Sequence, residues 1–332
     1  MSGIMIAIYS DDYITNESLF RELVSLAKQL QAQSHERLTI TVVGDESGSC
    51  TQTVAEYGEE LVRIAIKVPE NAPWPEYDTE ALVQLCNELQ PSMILLPKTF
   101  WGTEVAARLT AILDGSAAMD ITAATLLSDS LEVTRTIFGG VAEARLRMAR
   151  MPAVLVPHPK IWPEAEPLPT DSSITLFTPN IDLGALQTIP KDRHRLAQAP
   201  DVAQARILIA GGRGLGGPEP FKLLEEIASM IGGQVAASRP PVDSGWVSGQ
   251  IQVGLTGKTV APDLYIAVGI SGAIQHITGC YNARNIVAIN NDPHAPIFQY
   301  ATYGVVGDWQ DVLPTFYEAL KTIIKSSREK VY

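Results

Sequence analysis

The stretch that most limits how this chain can fold runs from Leu264 to Asn290, LYIAVGISGAIQHITGCYNARNIVAIN. Leu264 to Gly269 is an apolar run of strand character. Ile270-Ser271-Gly272 is a tight turn, Ala273 to Gly279 reads as a short helix opening, and Asn285 to Asn290 is a second buried strand. A strand, a glycine turn and a helix N-terminus together make an anion site, because unpaired backbone N–H groups there face outward. Ser271, Gln275 and His276 lie inside that turn and helix. Two readings fit such polar residues: a nucleotide site, or caps that only finish a helix start.

The first half of the chain alternates in the same way. Ile4 to Tyr9, Leu38 to Val43, Leu61 to Val68 and Ser92 to Leu96 read as strands. Between them lie helical patterns: a segment capped by Asn16 with Leu19, Leu23, Leu26, Ala27 and Leu30 in register, then Thr79 to Leu89, then Thr103 to Leu113. This alternation predicts a parallel sheet with helices on both faces. From Asp120 the grain changes. Leu131 to Phe138, Ala142 to Met148 and Ala153 to Val156 read as short strands meeting at Gly139-Gly140, antiparallel additions to the sheet. Asp11-Asp12, Asp45-Glu46 and His158 read as loop residues, and no catalytic constellation appears. Pro163 to Pro200 is proline-rich and polar, a connecting segment with one short strand at Ile174 to Phe177. The domain boundary therefore falls near residue 200.

The second half opens with a strand, Ala205 to Ala210, followed by Gly211-Gly212-Arg213-Gly214-Leu215-Gly216-Gly217 and a helix from about Pro218. Gly212, Gly214 and Gly217 fit the G-x-G-x-x-G spacing of dinucleotide sites. The usual acidic ribose partner is missing. The next strand ends Ala237-Ser238-Arg239, and an arginine there suits NADP. Gln252 to Lys258 is a glycine-punctuated loop, and Tyr303 to Val306 is a last strand before Gly307-Asp308 and a closing helix. Polar residues thus gather at successive strand ends: Arg213, Arg239, Ser271 with His276, Asn290, and Asp308. Ligands of open α/β sheets bind at those carboxyl ends. Taken alone, the pattern leaves open an NADP-dependent oxidoreductase or transhydrogenase-like module, and a nucleotide-binding partner protein with no redox role.

Bulk properties narrow the classes. With 332 residues the length prior is about two domains. The net charge of −12 argues against nonspecific nucleic-acid binding, which needs a basic footprint. Cys50, Cys86 and Cys280 fit neither a zinc site nor a disulfide framework, so buried thiols in a reducing cytoplasm are expected. No run reaches the length of a membrane span, and the start has no signal-peptide pattern.

The run from Leu264 to Asn290 resembles the signature of the electron transfer flavoprotein α subunit. GGRGLGGPEPFKLLEEIA, VAASRPPVDSGW, QVGLTGKTVAP and NNDPHAPIFQYATYGVVGD resemble the family's flanking blocks in the same order. PKTFWGTEVAARLTAILDGSAAMDIT resembles its N-terminal domain more loosely. The resemblance implies an α/β fold of two domains: residues 1–200, with 163–200 linker-like, pairing with a β subunit in a heterodimer, and residues 201–332, a doubly wound, Rossmann-like FAD-binding domain. It implies electron transfer from dehydrogenases of acyl-CoA dehydrogenase type, or other flavoprotein dehydrogenases, to an acceptor such as a quinone reductase; a bifurcating branch also exists.

By matched position, the resemblance puts Arg213 against the FAD, Ser238 and Arg239 beside the isoalloxazine, and Thr256 at N5. His276 falls near O2, and Ser271, Gly272, Gln275 and Asn290 serve ribityl and phosphate groups. Asp308 and Trp309 fall near the adenine, and Val253, Gly254, Leu255, Ala273 and Ile274 complete the set. Arg239 is permanently charged and planar, suited to a reduced flavin, which carries negative charge near N1 and O2. His276 would donate to O2. Leu255 stands where much of the family has glutamine, which removes an amide near the flavin.

Overall fold

The computed structural model describes residues 3–64, 74–128, 130–138, 142–168, 172–188 and 202–329. The chain divides into two compact units, residues 1–195 and 196–332.

In the first unit, β1 (Gly3–Tyr9) has buried side chains on both faces, Ile4, Ile6 and Ile8 alternating with Met5 and Ala7. A strand covered on both sides must be apolar at every position, which is why it reads as a continuous run. After a short helix, α1 (Ser10–Thr15), comes α2 (Glu17–Ser34), which buries Phe20, Leu23, Val24, Leu26, Ala27 and Leu30 at helical spacing. Asn16 stands at its N-cap but makes no side-chain capping bond, contrary to the sequence expectation. There follow β2 (Arg37–Val43), α3 (Ser49–Val54), β3 (Glu60–Ile64), α4 (Trp74–Leu89), β4 (Met93–Leu95) and α5 (Phe100–Ile112). Thr99 caps α5 by accepting from Gly102 N at 3.0 Å. Residues 65–68 of the expected Leu61 to Val68 strand lie outside the described residues, as does Gly139-Gly140.

The rest of the unit is β5 (Ser116–Leu126), β6 (Leu131–Ile137), β7 (Ala142–Met148), β8 (Ala153–Pro157) and β9 (Ser173–Phe177). The sheet order is β7-β6-β5-β8-β4-β1-β2-β3-β9. β6 and β7 pair antiparallel, as expected, and β6 also pairs antiparallel with β5, a strand that the sequence did not show. β8 does not: it lies parallel between β4 and β5 inside the sheet. β9 pairs parallel with β3 at the opposite edge. Ala165 N donates to Arg21 O (3.1 Å) and Thr188 N to Glu76 Oε2 (2.8 Å), so described residues on both sides of β9 are tied to this unit. Two supposed loop residues are buried. Asp45 accepts from Gly48 N (3.0 Å), Thr51 N (2.7 Å) and Thr51 Oγ1 (2.7 Å), and these bonds hold its carboxyl below the usual range against the cost of burial. His158 is buried at the end of β8.

The second unit holds β10 (Ile207–Gly211), α6 (Pro220–Met230), β11 (Gln234–Ala237), α7 (Arg239–Asp243), β12 (Leu264–Val268), α8 (Ile274–Ile277), β13 (Ile286–Asn290), β14 (Tyr303–Val306) and α9 (Trp309–Glu329). Its five strands are all parallel in the order β11-β10-β12-β13-β14. Residues of α6 and α9, among them Phe221, Leu224, Ile227 and Leu313, cluster with Ile209, Ile266, Val268 and Ile289 of the sheet. The alternate sheet residues, Leu208, Ala210, Tyr265, Ala267 and Ala288, cluster instead with Val253, Val260, Ile277 and Ile297 of short turns and loops. One sheet face is thus covered by helices and the other by short turns and loops. Among the described residues no helix is long and apolar enough to cross a membrane, and all three cysteines are buried free thiols.

Candidate functional site

The strand order reverses between β10 and β12, since the chain steps from β10 to β11 on one side and returns to β12 on the other. The crevice outside the carboxyl ends at such a reversal is where open α/β sheets hold ligands. Two glycine turns meet there. Gly212 N donates to Val268 O (2.8 Å) and Gly214 N to Gly269 O (3.0 Å). A Cβ on Gly212 would lie 2.2 Å from Gly269 O, and one on Gly214 2.9 Å from it, so backbone packs directly on backbone. Gly217 has no such role, as its Cβ would meet only the Glu219 side chain. The loop enters a 3-10 turn at Arg213–Leu215 and α6 begins only at Pro220. The third glycine therefore does not pack strand against helix as the dinucleotide fingerprint requires.

Beside these turns is a cleft of about 730 Å³. Of the residues singled out from the sequence, Arg213, Ser238 and Arg239 line it from the ends of β10 and β11. Val253, Gly254, Leu255 and Thr256 line it from the loop that follows α7. Ser271, Ala273, Gln275, His276 and Asn290 line it from beyond β12 and β13. Gly272 and Ile274 do not line it. Gly272 has φ +84° and is pressed against Ile297, whose nitrogen would lie 2.2 Å from an added Cβ. Asp308 and Trp309 are also outside the lining: Asp308 Oδ1 accepts from Gln310 N (2.9 Å) at the start of α9, and Trp309 packs into the core under that helix. The cleft also takes in Gln252, Asp292 and Pro296, which the sequence reading passed over.

Two of the lining side chains have polar partners within the protein. Arg239 opens α7 and pairs there with Asp243 (3.1 Å), both side chains being mostly exposed. An exposed i,i+4 pair is worth only a few tenths of a kcal/mol, so the guanidinium is free to turn to a ligand. His276 is buried, with Nδ1 3.1 Å from Val253 O and Nε2 2.9 Å from the Tyr265 hydroxyl. A carbonyl only accepts, so the ring proton sits on Nδ1, and Nε2 accepts from Tyr265. Burial pulls the imidazole down to about 4, with only the Val253 bond opposing. His276 is a neutral staple between the loop and β12, and both of its nitrogens are engaged within the protein. In this arrangement its one ring proton goes to Val253 O.

Asn290 is also fixed from two sides, donating to Ile270 O (2.9 Å) and accepting from Asp292 N (3.0 Å). Helix α8 has a single turn of four residues. Among the described residues, none of the amide groups of 271–275 donates to another backbone carbonyl. The turn therefore offers backbone N–H groups, as expected, without a long helix behind them.

Comparison with known proteins adds two findings. The family model described as the electron transfer flavoprotein domain matches residues 15–177, and the one described as the electron transfer flavoprotein FAD-binding domain matches residues 201–281. The chain belongs to the electron transfer flavoprotein alpha-subunit family. Relatives of this family align along nearly the whole chain. The electron transfer flavoprotein subunit alpha of Thermoanaerobacterium thermosaccharolyticum is 34% identical over 313 residues, covering 91% of this chain and 93% of that protein. Protein FixB of Clostridium saccharobutylicum is 33% identical over 320 residues, 92% of each. The mitochondrial alpha subunit of Dictyostelium discoideum is 55% identical over 125 residues, 38% of this chain and 35% of that one. The family's FAD-binding domain makes FAD the cofactor of this electron transfer flavoprotein chain.

Proposed function

We propose that this chain is the FAD-carrying half of a two-subunit electron carrier, and that the cleft at the β10–β12 reversal holds the FAD. One observation supports this most: groups from four strand ends and from the loop after α7 converge on one cleft whose lining histidine is tied at both nitrogens. A hydride-transfer site with its own acid–base residue would leave that imidazole free. A carrier needs none, because the flavin itself accepts and gives electrons and the protein binds and tunes it.

The residues present fit such a group. Backbone packs directly on backbone at Gly212, Gly214 and Gly254, which draws the loops that carry the lining residues together. The amide groups of 271–275 suit the pyrophosphate, the exposed Arg239 side chain suits negative charge on the reduced ring, and Ser271 and Gln275 suit the ribityl hydroxyls. The volume lies in the usual range for cofactor clefts.

The remaining parts of the reading rest on family membership. A β subunit completes the particle by pairing with the N-terminal domain, residues 1–200, and residues 201–332 form the FAD-binding domain. Electrons come from a flavoprotein dehydrogenase of acyl-CoA dehydrogenase type and pass to an acceptor such as a quinone reductase, in the cytoplasm. The test is to co-produce the chain with its β subunit and mix the yellow particle with reduced acyl-CoA dehydrogenase. Bleaching of the bound flavin is expected. A flavin that stays oxidised with that donor removes the donor assignment, and a colourless particle that FAD does not reconstitute removes the cleft assignment.

A further inference from the structure

We propose that Gln252 is a positioning residue for this cleft, holding the Thr256 hydroxyl by its oxygen so that the hydroxyl proton is offered to the ligand. The proposal rests on the reading of the cleft as the FAD site. Gln252 is buried, and its backbone is pinned on both sides: its N–H donates to Gly249 O (3.1 Å) and its carbonyl accepts from Lys258 N (2.8 Å). The loop can fold back over Gln252 because residue 257 is glycine. A Cβ there would lie 2.4 Å from the Gln252 carbonyl oxygen.

That return brings residue 256 within reach of the residue-252 side chain, and Gln252 Nε2 donates to Thr256 Oγ1 at 3.0 Å. An amide nitrogen only donates, whereas a hydroxyl has one proton and two lone pairs. With a lone pair taken by Gln252, the proton is left to turn elsewhere. Among the described residues the Thr256 hydroxyl makes no second bond, and both side chains line the cleft. The ligand atom this suits is an acceptor: an unprotonated ring nitrogen or a carbonyl oxygen of the oxidised isoalloxazine. His276 and Leu255 brace the same loop, through His276 Nδ1 to Val253 O (3.1 Å) and Leu255 N to Gln275 O (2.7 Å). Gln252 thus acts on a hydroxyl whose backbone is already fixed.

The experiment is a double-mutant cycle of Gln252→Met and Thr256→Val in the full chain paired with its β subunit, read as the dissociation constant of oxidised FAD. Gln252→Met should weaken FAD roughly two- to tenfold where Thr256 is present, the worth of one hydrogen bond. In the Thr256→Val background it should change nothing, because no hydroxyl remains to be aimed. An equal loss in both backgrounds would show that Gln252 acts by packing alone and overturns the proposal. An unchanged constant in the Thr256 background overturns it as well. If Gln252→Met fails to fold, Gln252→Asn, one methylene short of Thr256, runs the same cycle. A wild-type pair that binds no FAD refutes the cleft assignment and this proposal with it, an outcome separate from any difference confined to the variants.

Discussion

Gly212→Ala places a methyl group where the structure has backbone. The added carbon would lie 2.2 Å from Gly269 O, 2.6 Å from Gly269 C and 2.7 Å from Ile270 Cα. Reaching even the 3.0 Å below which real contacts essentially never occur requires the β10 and β12 turns to part by about 0.8 Å. Both elements are strand ends locked in the sheet, so no flexible side chain can absorb the shift. Parting weakens Gly212 N to Val268 O and Gly214 N to Gly269 O, each worth about 0.5–1.5 kcal/mol net. Overpacking adds about 1–3 kcal/mol. The expected loss is therefore about 2–6 kcal/mol, together with FAD, since the cleft floor is the part that moves. Gly216→Ala is the control: it keeps φ +82° but meets nothing within 4 Å, so it should cost only about 1–2 kcal/mol of backbone strain and keep FAD. The assay is urea unfolding followed by tryptophan fluorescence, with flavin absorbance on the same samples. A Gly212→Ala protein as stable and as yellow as wild type, or one no worse than Gly216→Ala, would refute the reasoning.

Three further outcomes follow from other residues. Arg239→Ala should lower the flavin midpoint potential by an amount equivalent to about 1–3 kcal/mol, the worth of a hydrogen bond to a charged group, and a spectroelectrochemical titration that superimposes on wild type contradicts its role. Leu255 is 63% exposed at the cleft rim, so Leu255→Gln should shift the potential without loss of FAD; coincident titrations would make the leucine a packing variation. Glu22 on α2 is buried and accepts from Lys160 N (2.6 Å), and burial, partly opposed by Lys160, pushes its carboxyl up to about 7. A raised folded-state pKa stabilises fully below the unfolded value of about 4.5 and is lost as pH rises through about 7. Glu22→Gln should accordingly be near neutral at pH 5 and stabilising by about 1–3 kcal/mol at pH 8, and an equal gain at both pH values in urea unfolding would refute the assignment.

The strands legible in the sequence are those buried on both faces. Ile4 to Tyr9 and Leu264 to Gly269 read as continuous apolar runs because Ile4 to Ile8 and Tyr265 to Val268 are buried at every position. β5 was illegible because its burial alternates irregularly and it carries a register shift beside Asp120, which sits at φ +58°. The parallel placement of β8 could not be read, since strand direction is set by partners distant in sequence. Asp45 was mistaken for a solvated carboxylate because its satisfaction depends on the turn that brings Gly48 and Thr51 back to it. In the site, the glycines were visible by spacing, but which of them backbone crowding requires was not: Gly212 and Gly214 carry it and Gly217 does not. Gln252 could have been found as a polar side chain four residues before Thr256 in a loop closed by Gly257. Trp309 came from resemblance alone and Asp308 also from its place at a strand end, and the structure keeps both out of the cleft lining.

A crystal structure of the chain with its β subunit and bound FAD shows most directly where the cofactor sits. The isoalloxazine is expected against the loop from Val253 to Thr256 within reach of Arg239, with the pyrophosphate on the amide groups of 271–275. FAD bound elsewhere, or in this cleft with its ring away from Thr256 and its pyrophosphate away from Ser271, would contradict that placement.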